Sequence, residues 1–324
     1  MSTARGVLGS RIRREVRRSL GYGPGAEQLF GLIRDYLDRP AGLVRPRILA
    51  AAAGAYRAGE PEAVLSLGAA TELLHVFALF HDDSIDEDTP RAGSAEAQAP
   101  EGETGESRAI ESLLAGDLLH SLGWGLIAET VRYRQLDSGI IDDVREVAGR
   151  TILGQLADVR FLTELTPEEL SFPRLYELYD EKTGAYTVAA PLRIGARLAG
   201  VPEGELETLS RLAEPLGRAF QLRDDLEDLR DALEPDRPVP PWELKLAATW
   251  LAATGRRIDS SPAGTAVPDP ATVLPALDME ALAGDVERRR RDLLAEAEET
   301  AGALTLPPAR RGAFFTALRR VLRL

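Results

Sequence analysis

The residues of this chain best suited to chemistry are two clusters of aspartates, each of which follows an apolar segment. Each cluster has the spacing DDxxD, with Asp82, Asp83 and Asp86 in the first and Asp224, Asp225 and Asp228 in the second. The first and last aspartates of a cluster are four residues apart, so a helix brings both carboxylates to one face. Like charges at that spacing repel unless a cation lies between them, and carboxylate oxygens are ligands that Mg2+ prefers. The spacing therefore predicts two magnesium-binding helix ends.

The presence of two such clusters bears on what the chain binds. A single cluster is typical of a solvated helix end, or of acidic side chains that complement the helix dipole. If the two clusters face each other, they form a carboxylate cage able to hold several Mg2+ ions and, through those ions, a diphosphate. The pattern therefore favours a metal-bound polyanionic ligand.

The elements that must position these clusters are helices. Apolar residues recur at helical spacing, as at Leu29, Leu32, Ile33 and Leu37. Alternating β-branched runs bounded by tight turns, which are typical of hairpins, are scarce. The sequence therefore predicts an all-α fold of about ten helices.

Breaks between the helices are marked by Gly and Pro. These residues cluster at 39–42, 58–61, 199–202 and 234–241, and each cluster predicts a helix end. Two further segments, residues 94–107 and 255–270, are polar or rich in Pro, Ser and Gly, which predicts mobile loops. Because only about 50 residues follow the second loop and their apolar spacing needs a partner surface, we expect one domain over residues 1–324.

Composition excludes several classes of protein. The 324 residues carry a formal charge of −13, which disfavours nucleic-acid binding, and the absence of Cys removes disulfides and thiolate chemistry. The arginine-rich N-terminus lacks the apolar stretch of a signal peptide and predicts a basic first helix. The apolar run Leu73–Phe80 is far shorter than the roughly 20 residues of a membrane span. We therefore expect a soluble, cytoplasmic protein without stable membrane insertion.

The motifs of the chain resemble those of the trans-isoprenyl diphosphate synthases, also called polyprenyl synthetases. The resemblance includes both aspartate clusters, in the contexts HDDSIDEDTPRAG and FQLRDDLED. Five further matches occur in the family's order: Arg45-Pro46, a GDxLL at Gly116–Leu119, a GQxxD at Gly154–Asp158, a KTG at Lys182–Gly184, and Lys245 after the second cluster. The matches cover about two-thirds of the chain.

This resemblance implies a helical bundle, usually a homodimer, with a deep apolar cavity whose mouth carries both aspartate clusters. It implies three Mg2+ ions that hold an allylic prenyl diphosphate and stabilise the leaving diphosphate while the C–O bond ionises. The implied catalytic residues are the six aspartates and Lys182, and Asp158 is added to them as an implied metal ligand. The implied substrate-binding residues are Arg45, His75, Phe77, Ala78, Arg91, Gln155, Lys182, Thr183, Phe220, Gln221 and Lys245.

The chain departs from the family at the site for a second substrate, isopentenyl diphosphate. Arg45 and His75 are retained, but Gly42 stands where the family has a Lys, and Ala92 stands where it has an Arg. Each charge-assisted hydrogen bond contributes roughly 1.5 to 3 kcal/mol, so two lost cations should weaken binding by several kcal/mol. The resemblance therefore implies an intact allylic site beside a degraded isopentenyl site.

Three functions follow from this pattern. The first is a prenyltransferase that still elongates an allylic diphosphate of C10 to C20, with Arg47 or the C-terminal arginines Arg319, Arg320 and Arg323 compensating for the lost cations. The second is a terpene synthase that uses the allylic diphosphate without isopentenyl diphosphate. The third, a non-catalytic partner subunit, is disfavoured because both aspartate clusters are complete. Phe77 and Ala78 precede Asp82 by about one helical turn. In the family that the chain resembles, bulk at these positions shortens the cavity, which implies a product of C15 to C20.

Overall fold

The computed structural model describes residues 2–18, 26–37, 42–85, 105–233, 241–256 and 270–324. Every regular element within these residues is helical, so the predicted all-α fold is confirmed. The α-helices are α1 (Ser2–Arg18), α2 (Ala26–Leu37), α3 (Val44–Ala55), α4 (Pro61–Ile85), α5 (Gly105–Arg134), α6 (Gly139–Glu164), α7 (Phe172–Tyr179), α8 (Ala190–Arg197), α9 (Glu203–Asp231), α10 (Lys245–Ala253), α11 (Pro270–Ala276), α12 (Met279–Gly302) and α13 (Pro308–Leu322).

The chain forms two compact units. Unit 1 comprises Met1–Ile141 with Ile194–Gly200, and unit 2 comprises Asp142–Arg193 with Val201–Leu324. The first aspartate cluster therefore belongs to unit 1 and the second to unit 2. The expected single domain over residues 1–324 stays a prediction.

Unit 1 is organised around α4, which packs against α5, α3 and α1. By length and composition, residues Pro61–Asp82 of α4 are apolar enough to cross a bilayer. Of the most apolar window of this segment, 61% is buried inside the fold, as expected for the core helix of a soluble protein. The expectation that the chain does not insert into a membrane stays a prediction.

Unit 2 is organised around α9, which packs against α12 and against the stretch between α7 and α8. That stretch, Asp180–Ala189, is a π-helix that joins α7 to α8 without a break. A short 3-10 turn, Pro241–Leu244, leads directly into α10. Leucines on the buried side of α9, including Leu222, Leu226 and Leu229, belong to an apolar core shared with α7, α10 and α12. This core fixes the helices that carry the second aspartate cluster.

Most predicted helix ends agree with the structure. Helix α4 begins at Pro61, α9 begins at Glu203 after the Gly-Val-Pro break, and α9 ends at Asp231 before the proline-rich segment. One boundary was wrong: α5 begins at Gly105, so the last three residues of the loop predicted over 94–107 are helical. Residues 94–104 of the first predicted loop and residues 257–269 of the second lie outside the described residues.

Candidate active site

The most strongly charged contact in unit 2 joins one carboxylate to two lysines from different helices. Asp158 of α6 accepts hydrogen bonds from Lys182 of the π-helix, at 2.5 Å to Oδ2, and from Lys245 at the start of α10, to Oδ1. The side chains of Asp158 and Lys245 are only 6% and 11% exposed. Burial alone would raise the pKa of Asp158, but Lys245 and Lys182 outweigh burial and lower that pKa to about 2. Three predicted site residues therefore meet in one ionised cluster.

Close packing of glycines brings the π-helix within reach of Asp158. A Cβ on Gly154 of α6 would lie 2.6 Å from the backbone of Glu181 and Lys182, and a Cβ on Gly217 of α9 would lie 2.9 Å from Gly184. Separations below 3 Å are not tolerated between a Cβ and backbone atoms. Gly154 of the GQxxD motif and Gly217 of α9 are therefore needed for the π-helix to approach α6 and α9 this closely.

Replacing Gly154 by Ala should destabilise unit 2 and weaken binding of the diphosphate that the family resemblance implies. The new methyl group would force the π-helix away from α6, and overpacking of this kind costs about 1 to 3 kcal/mol. Chemical denaturation gives the free energy of unfolding, and calorimetry gives diphosphate affinity. Gly149→Ala is the matched control, since a Cβ there meets nothing within 4 Å on the same helix. An unchanged unfolding free energy for Gly154→Ala would contradict the packing argument.

The second aspartate cluster lies at the C-terminal end of α9. The carboxylate of Asp225 accepts a hydrogen bond from the Tyr179 hydroxyl, and a second at 2.7 Å from Nε2 of Gln221. Asp224 pairs with Arg223 at 2.5 Å, whereas Asp228 is exposed. Each carboxylate of the cluster therefore has a different environment.

Burial dominates the titration of this cluster. Burial raises the pKa of Asp225. The charge of Lys245 and the hydrogen bonds from Tyr179 and Gln221 lower it, but they offset only part of the rise. Burial also raises the pKa of Asp224 against the lowering effect of Arg223. Burial and the Asp225 charge raise the pKa of Tyr179 well above its usual value, so this hydroxyl stays a donor. The neighbouring cations do not fully offset the cost of burying these carboxylates, and an added cation would.

The remaining predicted residues of unit 2 lie around these two groups. Thr183 is buried beside Lys182, and Gln155 is half-buried one turn before Asp158. Phe220 is half-buried, and the Arg223 guanidinium lies 4.9 Å above the centre of its ring. The three elements that carry these residues, the π-helix, α6 and α9, also carry Lys182, Asp158 and Asp225.

In unit 1, the first aspartate cluster begins in the last turn of α4. Asp82 is half-buried there. The side chain of Asp83, and all of Asp86 and Arg91, lie outside the described residues. Their predicted roles stay predictions.

The turn of α4 below Asp82 carries an aromatic and imidazole cluster shared with α5. The ring of Phe77 lies 4.5 Å from that of His81 and 4.7 Å from that of His120. Nε1 of Trp124 donates to Nε2 of His120 at 3.0 Å. Phe77 and Ala78 are both half-buried. The Phe77 ring is therefore fixed from two sides, as a residue that limits a cavity needs to be.

The GDxLL motif contacts the same turn of α4. A Cβ on Gly116 would lie 2.4 Å from the His81 ring, and Asp117 Oδ1 lies 3.3 Å from His81 Nε2. This motif therefore orients His81, which directly precedes the aspartate cluster.

A second charged group of unit 1 surrounds Arg45, which is 6% exposed at the start of α3. Burial raises the pKa of Glu72, and the charge of Arg45 partly offsets this rise. Burial and Arg45 together lower the pKa of His75 well below its usual value. His75 is therefore neutral near pH 7 and adds no positive charge to this group.

The acidic residues present fit Mg2+. Asp224 and Asp225 provide oxygen ligands whose burial a dication would offset. Among the described residues, no three Asp, Glu or His side chains form a ready-made metal site.

Comparison with known proteins decides the family. The profile of the polyprenyl synthetase family matches residues 26–235. The chain belongs to the polyprenyl synthetase family. The same fold occurs in the crystal structure of geranylgeranyl pyrophosphate synthase from Corynebacterium glutamicum, complexed with isoprenyl diphosphate and magnesium, with a TM-score of 0.72, 22% identity and 98% of both chains covered.

Curated relatives of this polyprenyl synthetase have lower coverage. The geranylgeranyl diphosphate synthase of Sulfolobus acidocaldarius is 31% identical over 201 residues, which are 60% of this chain and 57% of that relative. The geranylfarnesyl diphosphate synthase of Natronomonas pharaonis is 29% identical over 307 residues, 88% of this chain and 86% of the relative. The first alignment thus spans little more than half of the relative.

Several residues of the site were missed by sequence reasoning. Tyr179, the donor to Asp225, has the spacing of an ordinary core aromatic, and it is 3% exposed. Arg150 and Arg218, which bind the two residues before Lys182, lie in no motif of the family resemblance. Their partners are 31 and 38 residues away in sequence, so no local signal could have found them.

Proposed function

We propose that this polyprenyl synthetase is a Mg2+-dependent prenyltransferase that ionises an allylic prenyl diphosphate of C10 to C20 and joins the prenyl group to isopentenyl diphosphate. The observation that carries the proposal is the cluster of Asp158, Lys182 and Lys245 beside the second aspartate motif. Two ammonium groups held by one buried carboxylate form a preorganised anion site. The named diphosphate synthases among its relatives favour the same chemistry.

The residues of unit 2 have distinct tasks in this proposal. Lys182 and Lys245 contact the diphosphate and stabilise the charge that develops on it as the C–O bond breaks. Asp158 holds both ammonium groups in position in the free enzyme. Tyr179 and Gln221 orient Asp225 so that its oxygens are ready to bind a cation. Bound Mg2+ supplies Lewis-acid neutralisation of the leaving diphosphate. Three ions is the number expected for the family, and it stays a prediction.

The decisive experiment varies the second substrate. The purified chain is incubated with Mg2+ and geranyl, farnesyl or geranylgeranyl diphosphate, with and without isopentenyl diphosphate. We expect longer prenyl diphosphates only when isopentenyl diphosphate is present. Hydrocarbon or alcohol formed equally well without it would overturn the proposal in favour of a terpene synthase. Turnover only after addition of a homologous subunit would identify a partner role.

Arg47 supports the use of isopentenyl diphosphate. Its Nη1 donates to the carbonyl oxygen of Gly42 at 3.3 Å, so the guanidinium lies beside the residue that replaces the missing Lys. We infer that Arg47 restores positive charge at this position.

Substituting Arg47 by Met should therefore raise the KM for isopentenyl diphosphate roughly tenfold or more, because one charge-assisted hydrogen bond is lost. The KM for the allylic diphosphate should not change. Steady-state kinetics with each substrate varied in turn gives both constants. Arg34→Met, at an exposed arginine of unit 1, is the control. Equal effects on both KM values would contradict this assignment.

Product length depends on Phe77 in this proposal. Phe77→Ala removes a ring that His81 and His120 hold in place, so the accepted or produced chain should lengthen. Chromatography of the dephosphorylated products measures the distribution. Leu79→Ala, on a different face of α4, should leave the distribution unchanged. An unchanged distribution for Phe77→Ala would show that Phe77 does not limit the cavity.

We infer that a second copy of this chain covers an apolar stripe on α6. Ile152, Leu153, Leu156 and Val159 are 59%, 67%, 47% and 46% exposed, and they share one side of the helix that carries Asp158. An exposed apolar patch of this kind favours association of two chains, and homodimers are usual in the polyprenyl synthetase family. Sedimentation should give twice the 35.1 kDa chain mass, and Leu153→Glu should reduce it to the monomer. Leu233→Glu, at another exposed leucine, should stay dimeric.

We also propose that the protein is cytoplasmic, which localisation of a tagged chain in cells would test.

A further inference from the structure

Two acidic residues directly precede Lys182 in the π-helix, and each is held by an arginine from a different helix. Arg218 of α9 donates to both oxygens of Asp180, from Nε at 2.9 Å and from Nη2 at 2.6 Å. Arg150 of α6 donates to both oxygens of Glu181, from Nε at 2.9 Å and from Nη2 at 3.0 Å. Bidentate pairs of this kind fix orientation as well as charge.

Neither pair is a strong source of stability. The side chains of Arg150 and Glu181 are 41% and 44% exposed, and solvent-exposed ion pairs contribute little to the free energy of unfolding. Asp180 and Arg218 are more buried, and burial raises the pKa of Asp180 despite the opposing effect of Arg218. The free-energy cost of burying the Asp180 carboxylate is therefore larger than the stabilisation that Arg218 provides. A role other than stability has to account for the two pairs.

The π-helix needs such a restraint because packing leaves one side of it open. A cavity of about 290 Å³ in unit 2 borders the segment at Asp180, Gly184 and Ala189. π-helices are rare and usually short, and a shift of one residue toward α-helical geometry would turn the following side chains by about 100°. Lys182 would then no longer point at Asp158. The glycine contacts at Gly154 and Gly217 limit the distance between helices but not this rotation.

We propose that Asp180 and Glu181, through Arg218 and Arg150, are positioning residues that set the rotation of the π-helix and so direct Lys182 toward Asp158 and a bound diphosphate. Adjacent residues of a helix point in different directions, and these two pair with α9 and with α6, so the two ion pairs together resist rotation of the segment either way. The inference rests on the proposed function, because it assigns Lys182 to a diphosphate.

The test measures diphosphate binding separately from turnover. Calorimetric titration with inorganic diphosphate in Mg2+ is performed on the wild-type chain, on Asp180→Asn and Glu181→Gln, and on the double variant. We expect each single variant to bind about tenfold more weakly and the double variant more weakly still, with little change in unfolding midpoint. The exchanged pair Arg150→Glu with Glu181→Arg should recover affinity to within about threefold of the wild type.

A matched control is available in the same unit. Arg193 binds Asp143 through Nε at 3.0 Å and Nη2 at 2.7 Å, with both side chains mostly buried, but it lies eleven residues after Lys182. Asp143→Asn should lower the unfolding midpoint and leave diphosphate affinity unchanged.

The results of these titrations test the positioning role and the proposed function separately. Wild-type affinity in the double variant, an equal loss in Asp143→Asn, or no recovery in the exchanged pair would overturn the positioning role. A wild-type chain that binds diphosphate but turns over no allylic substrate would overturn the proposed function alone. A wild-type chain that binds no diphosphate in Mg2+ would overturn both.

Discussion

Asp225→Asn should reduce turnover of an allylic diphosphate by about a thousandfold. Lewis-acid neutralisation of a leaving diphosphate contributes several kcal/mol to the transition state, and each 1.36 kcal/mol corresponds to a factor of ten in rate. Within the second aspartate cluster, Asp225 is the carboxylate whose two oxygens are both oriented, since Tyr179 and Gln221 each donate to one of them. A neutral amide of the same shape keeps the position but loses the charge that a cation requires.

The same substitution should hardly affect folding. Burial raises the pKa of Asp225, so the ionised carboxyl is a cost to the folded chain that Asn removes. This gain is opposed because the NH2 group of the new Asn cannot accept a hydrogen bond. Either Tyr179 or Gln221 therefore loses its acceptor, which costs about 1 kcal/mol. Single-turnover kinetics and denaturation of both proteins measure the two effects. Asp231→Asn, at an exposed aspartate of the same helix, is the control and should behave as wild type. Retention of a tenth or more of the wild-type rate in Asp225→Asn would remove Asp225 from the catalytic residues.

Asp158→Asn should lower the free energy of unfolding by about 2 to 4 kcal/mol at pH 7. The pKa of Asp158 is about 2 in the folded chain against an ordinary value of 3.8, a difference equivalent to about 2 kcal/mol. The variant also leaves Lys182 and Lys245 facing each other without a buried counter-charge, which adds to the loss.

The loss should depend on pH with a defined sign. A carboxyl whose pKa is lowered by folding stabilises the folded chain fully above its unfolded pKa, and the contribution disappears as pH falls through the folded pKa. The difference between wild type and Asp158→Asn should therefore be constant above about pH 5 and shrink between pH 4 and pH 2. Urea denaturation across this range, with chelator present, measures it. Asp292→Asn, at an exposed aspartate of α12, should show no such trend. A difference independent of pH would mean that Asp158 is not ionised beside the two lysines.

The sequence by itself determined the fold class and the family, and it supplied the predicted site residues. Helical periodicity reports which side of each helix is buried, and that pattern is local, so α4 and α9 were predictable from their own residues. The DDxxD, GQxxD and KTG spacings are equally local, and they were sufficient to predict Asp158, Lys182 and Asp225 as site residues. The GDxLL and GQxxD glycines were recognised as motif positions, but their role in close helix packing was not evident.

Only the tertiary structure decided which charged groups meet. Lys182 and Lys245 are 24 and 87 residues from Asp158, yet they bind the two oxygens of one carboxylate. Tyr179 reaches Asp225 across 46 residues, and Arg150 and Arg218 reach the π-helix from α6 and α9. Such partnerships depend on which helices pack together and at what rotation, and they leave no periodic signal in the chain. The sequence therefore identified the chemical groups, and helix packing determined how they are paired and held.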